Sequence, residues 1–395
     1  MGEKLPVGKG LLTELKKGPW PSFVTDIEAM AETNPMARDL YGQLETSYEE
    51  KIGHWKHGGI VGVMGYGGGV IGRYSDIPEK FPNVSHFHTM RVNQPAAWFY
   101  KTDALRAICD IWERRGSGMT NMHGSTGDMI LLGTSTPELE PTFAELTALG
   151  FDLGGSGSCM RTPSCCVGPA RCEWAMFDTL KMCYEFTQHY LDELHRPAFP
   201  YKFKLKFSGC PNDCVASIAR ADMSFIGIWR DDIQMDVERV RQYAKDGLDI
   251  QRVVVERCPT RCMEWDGRDL HIDNHNCSKC MHCINVMHLA LKPGKDRGAA
   301  ILLGSKAPIL EGALLSSVLV PFIDMNEQYK DVFELIDAIW ELWSEDGKNR
   351  ERVGEFIQRV GLGNFLEAIG LEPSPEMVSQ PRDNPYVFYD LGNGK

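Results

Sequence analysis

Apolar positions recur at helical spacing from about Asp26 to Glu32 and again from Pro35 to about Glu50, after a loop punctuated by Pro19 and Pro21. Two helices are predicted there. His86–Asn93, HFHTMRVN, alternates at period two and predicts a strand. Arg91 falls among apolar neighbours on it, where a guanidinium needs either an anionic partner or an edge facing water. A helix is expected over Thr102–Arg115, capped by Thr102, stopped by Gly116 and burying Trp112. Met119–Thr134 predicts a turn and then a strand, with His123 structural, and Pro137–Leu149 a helix ending at Gly150. A long helix is expected over Glu173–Glu193, with Trp174, Phe177, Tyr184 and Tyr190 in the core. KFKLKF then alternates strictly, so Lys202, Lys204 and Lys206 are expected to project from one face of a strand. The charged run from Trp229 to Gly247 predicts a polar helix or exposed hairpin. Apolar strands return after about Gly298, followed by helices over Glu327–Trp343 and Lys348–Val360, the second closed near Gly361. Residues 373–395 are Pro-rich and are expected to extend onto a partner subunit.

The glycine run Ile60–Tyr74 needs separate treatment. Gly67-x-Gly69-x-x-Gly72 formally matches the dinucleotide fingerprint. The run Arg73–Pro78 breaks the helix that should follow, and no acidic residue stands at a strand end about 20 residues on. Bare backbone of this kind instead suits close approach to something large and flat.

Cysteine spacing changes the picture most. Of 13 cysteines, all but Cys109 and Cys159 lie between Cys165 and Cys283. An odd, clustered set in a long chain points to metal ligation in a reducing compartment, not to a disulfide scaffold. Cys166-x5-Cys172 and Cys210-x3-Cys214 form two pairs, the second directly after the lysine strand. Four thiolates in a partly buried shell suit an iron–sulfur cluster. Cys159-x5-Cys165 repeats the first spacing, which leaves that register open; Cys109, Cys159, Cys165 and Cys183 otherwise read as buried thiols. Further on, Cys277-x2-Cys280-x2-Cys283 is the ferredoxin spacing for a [4Fe–4S] cluster. Met287 stands where a second cluster would take its cysteine, so one cluster is expected, its fourth ligand being Cys258, followed by Pro259, or its competitor Cys262. Three thiolates this close are too tight for paired zinc knuckles.

Composition adds bounds. The 395 residues suffice for two or three domains, and 43% hydrophobic with 24% charged residues is ordinary for a globular protein. A net charge of −12 disfavours nucleic acid as a partner and makes any basic cluster a local feature. The first residues show no signal-peptide pattern, Pro6 argues against myristoylation, and no apolar run approaches the ~20 residues that span a bilayer, the longest being Ala313–Ile323. A cytoplasmic protein without membrane insertion is expected.

The blocks GPWPSFVTDIE, GYGGGVIGRYSD, RTPSCCVGPARCE, KFSGCPNDC, CPTRCMEWDG and CSKCMHC run in order along nearly the whole chain. Together they resemble the sirohaem sulfite and nitrite reductases, and among these the dissimilatory sulfite reductase alpha subunits. The resemblance implies an α+β fold of duplicated reductase domains with an inserted ferredoxin-like [4Fe–4S] domain. Its implied boundaries are 1–160 for an N-terminal reductase domain, 161–230 with 301–395 for the sirohaem/[4Fe–4S] domain and tail, and 231–300 for the insertion. It also implies six-electron reduction of sulfite towards sulfide in sulfur-based energy metabolism. The implied cofactors are sirohaem, or its iron-free form, and two [4Fe–4S] clusters. Cys166, Cys172, Cys210 and Cys214 would hold the first cluster, Cys214 bridging to the sirohaem iron; Cys258, Cys277, Cys280 and Cys283 would hold the second. Arg91, Arg161, Lys202 and Lys204 would face sulfite, and Arg73, Lys206 and Arg220 would join them around the tetrapyrrole. Implied partners are a homologous beta subunit in an α2β2 heterotetramer, a small cysteine-containing sulfur-carrier protein, and electron donors. An assimilatory-type sulfite or nitrite reductase, and an electron-transfer subunit whose own tetrapyrrole site is inactive, remain the alternatives at this point.

Overall fold

The computed structural model describes residues 14, 16–17, 23–93, 99–307, 312–325 and 329–377. The loop holding Pro19 and Pro21, and the tail beyond 377, fall outside those residues. The chain divides into two compact units, residues 1–162 with 186–202 and residues 163–185 with 203–395.

The first unit is built on one antiparallel sheet of five strands, β1 (Trp55–Val63), β2 (Tyr66–Ser75), β3 (Phe87–Val92), β4 (Met119–Met122) and β5 (Met129–Thr134), in the order β1-β2-β3-β5-β4. The glycine run is thus a β-hairpin, not the start of a nucleotide-binding helix. Gly69 shows why glycine is needed there: its φ is +87° and a Cβ would lie 2.7 Å from the Leu153 side chain. β3 is central, so Arg91 does not stand on an edge strand. Helices Phe23–Ala31, Pro35–Glu50, Thr102–Arg115 and Leu139–Ala148 accompany the sheet. Asn34 opens the second of these by accepting the N–H groups of Met36 and Ala37. The third begins after Lys101, which makes no side-chain cap; Thr102 is already inside the helix. Trp112 is fully buried in the main core cluster with Val70, Met90, Ile108 and Leu131, its indole N–H donating to the Met119 carbonyl.

His54 carries a pH dependence. Its Nδ1 lies 2.6 Å from Asp76 and its Nε2 2.8 Å from Glu50. Bonds to Asp76 and then Glu50 raise its pKa, against the pull of burial. A raised folded pKa gives stability that is complete below the unfolded value, about 6.5, and is lost as pH rises through the folded value. Thermal melts from pH 6 upward are therefore expected to fall more steeply for the native chain than for His54→Gln; parallel curves would contradict this.

The second unit holds a mixed five-stranded sheet, β14-β13-β8-β7-β6. β6 (Ser164–Cys165), β7 (Leu205–Ser208) and β8 (Met223–Trp229) run parallel; β13 (Arg297–Leu303) and β14 (Ser317–Ile323) complete it antiparallel. Phe203, Leu205 and Phe207 are at most 1% exposed, which is the alternation read from KFKLKF. Each contributes about 1.5–3 kcal/mol of apolar burial. Phe203 packs edge-on against Trp340 of helix Lys330–Asp346.

Between β8 and β13 the chain leaves the sheet after Trp229 and returns at Arg297, and these two residues pair directly. The excursion carries β9 (Gln234–Met235), helix Val237–Lys245, a π-turn over Gln251–Val255, β10 (Met263–Trp265), β11 (Leu270–Ile272), helix His282–Val286 and β12 (Leu291–Lys292). A loop inserted at a hairpin leaves the sheet intact, so the sheet tolerates it.

Two helical expectations need correction. The helix expected over Glu173–Glu193 starts only at Thr179 and breaks at Tyr190 before a short turn, Leu191–His195. Asp178 stops it from starting earlier: its carboxylate accepts the free N–H groups of Leu180 and Lys181. Trp174 therefore lies outside the helix. The C-terminal helix is Val353–Val360, followed past Gly361 by an unexpected helix, Leu362–Ala368. Among the described residues no helix is long and apolar enough to cross a membrane.

Candidate functional site

β6 and β7 run side by side, Ser164 opposite Lys206 and Cys165 opposite Phe207, so both cysteine motifs begin at the same end of the sheet. Cys166 N–H donates to the Phe207 carbonyl, and Gly209 N–H donates to Cys166 Sγ at 3.2 Å. Met176 N–H bonds to the Gly209 carbonyl, tying the exit of the first motif to the second. A Cβ on Gly209 would sit 3.4 Å from Cys166 Sγ and 3.3 Å from Ala175, and one on Gly227 would lie 2.1 Å from the Gly209 carbonyl oxygen. Gly227 thus admits no side chain, and Gly209 only a tight one.

The four thiols feel one another. Burial first, then the charges of Cys172, Cys214 and Cys166, push Cys210 up to about 11. Cys214 is likewise raised by burial and then by Cys166 and Cys172. Four thiolates gathered this way repel unless a cationic centre binds them, and metal binding would drive off their protons. This donor set fits an iron–sulfur cluster, with Gly209 N–H already directed at one sulfur. Asp213 holds the second motif with φ +45°, its carboxylate accepting Ser217 N–H and Oγ–H and Ile218 N–H. Arg220 is exposed at the end of the single turn Ser217–Arg220, not on a continuous helix from Cys214.

The cysteines of the insertion also gather. One pocket is lined by Cys258, Cys262, Cys277, Cys280 and Cys283 with Trp229, Ile233 and Val254. Burial and then Cys277 and Cys280 push Cys283 up to about 12. Cys258 and Cys262 lie with their sulfurs 3.5 Å apart. None of the 13 cysteines is in a disulfide. Cys159, Cys165 and Cys183 are buried thiols as expected, but Cys109 is exposed. It occupies the outer face of an amphipathic helix whose buried residues are Ile108, Ile111 and Trp112. Among the described residues no three Cys, His, Asp or Glu groups converge to hold a single metal ion. A cluster, with irons at separate corners, does not ask for that convergence.

The cationic groups divide between the units. In the first, Arg91 donates to Asp128 at 2.5 Å, and Asp128, fully buried, also accepts the hydroxyls of Thr126 and Thr162. Arg161 is 8% exposed and donates to the Gly155 carbonyl at 3.1 Å. Burial and then the Arg91 charge lower Arg161 to about 10, and the same two causes lower Arg73 to about 10. Arg73 reaches His57 Nδ1 at 2.7 Å, while the Nε atoms of Arg73 and Arg91 are buried without a hydrogen-bond partner. Arg91 therefore bears on both Arg73 and Arg161, and Asp128 is the carboxylate that faces Arg91 and Arg161. Such a buried excess of positive charge calls for a polyanionic occupant. Lys202, half-buried at the end of this unit, lies with Nζ 4.8 Å from the Tyr201 ring centre.

In the second unit Lys204 is half-buried, and Lys206 is 1% exposed. The uniform lysine face expected from the sequence is therefore graded. Lys206 Nζ donates to Ser164 Oγ at 2.9 Å, and burial lowers its pKa to about 8, partly offset by Asp213. Sequence reasoning missed Asp128, which holds Arg91, Ser164, which holds Lys206, and Asp222, which accepts the backbone N–H of Lys204. Lys306, by contrast, meets a protein carboxylate, Glu355, at 2.5 Å.

Residues 156–376 match the family described as the nitrite and sulphite reductase 4Fe-4S domain. The chain belongs to the nitrite and sulfite reductase family. Within it, the chain sorts with the dissimilatory-type alpha subunits. It is 55% identical to the sulfite reductase, dissimilatory-type subunit alpha, of Nitratidesulfovibrio vulgaris over 96% of this chain and 93% of the relative. The corresponding subunit of Allochromatium vinosum is 45% identical over 96% and 94%. The crystal structure of dissimilatory sulfite reductase I superposes with a TM-score of 0.87 at 54% identity, covering 97% of this chain and 96% of that one.

Proposed function

We propose that the chain acts as the alpha subunit of a dissimilatory sulfite reductase that takes sulfite towards sulfide, with sirohaem and two [4Fe–4S] clusters. The observation that carries this is the gathering of four mutually repelling thiols at Cys166, Cys172, Cys210 and Cys214; the desolvated cations Arg73, Arg91 and Arg161 of the first unit support it separately. Sirohaem, when bound, supplies iron for the sulfur of sulfite and a ring that passes electrons. The chain's residues do the rest. Arg91, Arg161, Lys202 and Lys204 neutralise the sulfite oxygens and hold protons close to them, stabilising charge as S–O bonds break. Arg73, Lys206 and Arg220 take the carboxylates of the macrocycle, which relieves the desolvated cations Arg73 and Lys206. Cys258, Cys277, Cys280 and Cys283 hold the second cluster in a ferredoxin-like insertion and feed electrons inward. Support for passage between the two comes from Asn212, between Cys210 and Cys214, which exchanges amide hydrogen bonds with Asn285, two residues past Cys283.

The subunit designation of the relatives supports an alpha/beta complex acting on sulfite. We extend this to an α2β2 heterotetramer in the cytoplasm, served by a small cysteine-containing sulfur carrier and electron donors. The first test is the visible spectrum and turnover of the complex purified with its beta subunit under anaerobic conditions. An iron-tetrapyrrole spectrum with sulfite preferred over nitrite is expected. A fully metallated complex without tetrapyrrole would remove the reading. Arg161→Ala is expected to reduce tetrapyrrole content per chain, because the anionic macrocycle loses one of the buried cations that attract it; unchanged content would remove Arg161 from the binding set.

A further inference from the structure

Five cysteines line the pocket of the insertion, and a cubane takes four. The surplus one is informative. Cys258 and Cys262 flank the turn Pro259-Thr260-Arg261, which Arg261 closes with φ +53° and an N–H bond to the Cys258 carbonyl. The turn folds Cys262 Sγ back to 3.5 Å from Cys258 Sγ and brings Thr260 Oγ1 to 3.7 Å from the same sulfur. Both distances are within hydrogen-bond range for sulfur, whose radius exceeds that of oxygen. Cys262 is itself buried, at 6% exposure, and its backbone is pinned by Asp273 N–H donating to its carbonyl. It is thus held in place and shielded from solvent.

A ligating sulfur carries no proton, so it can only accept. If Cys258 ligates, the proton in the close pair belongs to Cys262. We propose that Cys262 is not a ligand but a hydrogen-bond donor to the Cys258 thiolate, and that with Thr260 it raises the reduction potential of the insertion's cluster. This rests on Cys258 as the fourth ligand. The physical cause is direct: donors to a ligand sulfur draw off electron density and favour the reduced cluster, whose extra electron makes it more negative. The arrangement would make this cluster an easier acceptor for electrons entering the protein.

The test uses the anaerobically purified alpha/beta holoenzyme carrying Cys262→Ala, Cys262→Ser or Thr260→Val, with Cys258→Ala for comparison. Iron per chain and the midpoint potential of the cluster are read by metal analysis and EPR-monitored titration. Cys262→Ala is expected to keep its full iron complement and titrate at lower potential. Cys262→Ser, which retains a donor, is expected to restore most of the shift, and Thr260→Val to produce a smaller drop. Full iron with an unmoved potential in both Cys262→Ala and Thr260→Val would overturn the proposal. Loss of one cluster's iron in Cys262→Ala but not in Cys258→Ala would overturn the ligand assignment beneath it. If Cys262→Ala does not assemble, Thr260→Val decides by the same potential.

Discussion

Replacing Cys210 by serine is expected to remove about four iron atoms per alpha chain, the content of one cubane. Cys210 is the most enclosed of its set, at 6% exposure, and the other three thiols all act on it. A serine oxygen is a harder donor with little tendency to ionise, and iron–sulfur clusters select soft thiolates. The turn is closely packed, with the Gly209 carbonyl where a Cβ on Gly227 would stand. If Cys214 links that cluster to a tetrapyrrole, as proposed, the visible spectrum should change with the iron content. Cys109→Ser is the control: its thiol is exposed on a helix of the first unit and should leave both readings unchanged. Full iron in Cys210→Ser would show that the four-cysteine centre is misassigned.

What could be read from the chain was whatever local spacing determines. KFKLKF announced its strand because Phe203, Leu205 and Phe207 had to face one way. The two cysteine pairs were legible, but their convergence depends on β6 lying beside β7, which joins residues about 40 positions apart. The return of the chain at Arg297 beside Trp229 is similarly a pairing that no local pattern encodes. Asp128 was invisible because a single aspartate in GSTGDMILL reads as a turn residue. Only the sheet brings it to Arg91: it lies one residue before β5, which pairs with β3. The lysine strand shows the opposite failure. Its period was right, yet Lys206 is buried where Lys204 is not, because β6 covers one end of the strand and supplies Ser164. The overextended helix before it failed for a local reason, the capping carboxylate of Asp178, and that signal was present in the sequence.

Breaking the ion pair of Asp222 with Arg352 is expected to destabilise the second unit by about 3–5 kcal/mol. Asp222 is fully buried and Arg352 3% exposed; the guanidinium makes two bonds of 2.7 Å, one to each carboxylate oxygen. The pair also carries structure on both sides. Asp222 accepts the Lys204 N–H at 2.9 Å, while Met223 N–H donates to the Lys204 carbonyl, so the backbone of a proposed sulfite-facing lysine is fixed at both ends. On the other side Arg352 N–H bonds to Glu355, which starts helix Val353–Val360 and receives Lys306. Arg352→Met strands a carboxylate in the core, and Asp222→Leu strands a guanidinium; each should lower the melting temperature by roughly 10 °C. The double variant removes both charges and should recover much of that loss, since two apolar groups leave nothing unpaired. It should not recover the anchoring of Lys204, whose N–H then has no acceptor. Sulfite turnover is therefore expected to stay depressed in the double variant even where its melting temperature approaches that of the native chain. Recovery of both together would separate this pair from the positioning of Lys204, and additive losses of stability would show that the two charges do not depend on each other.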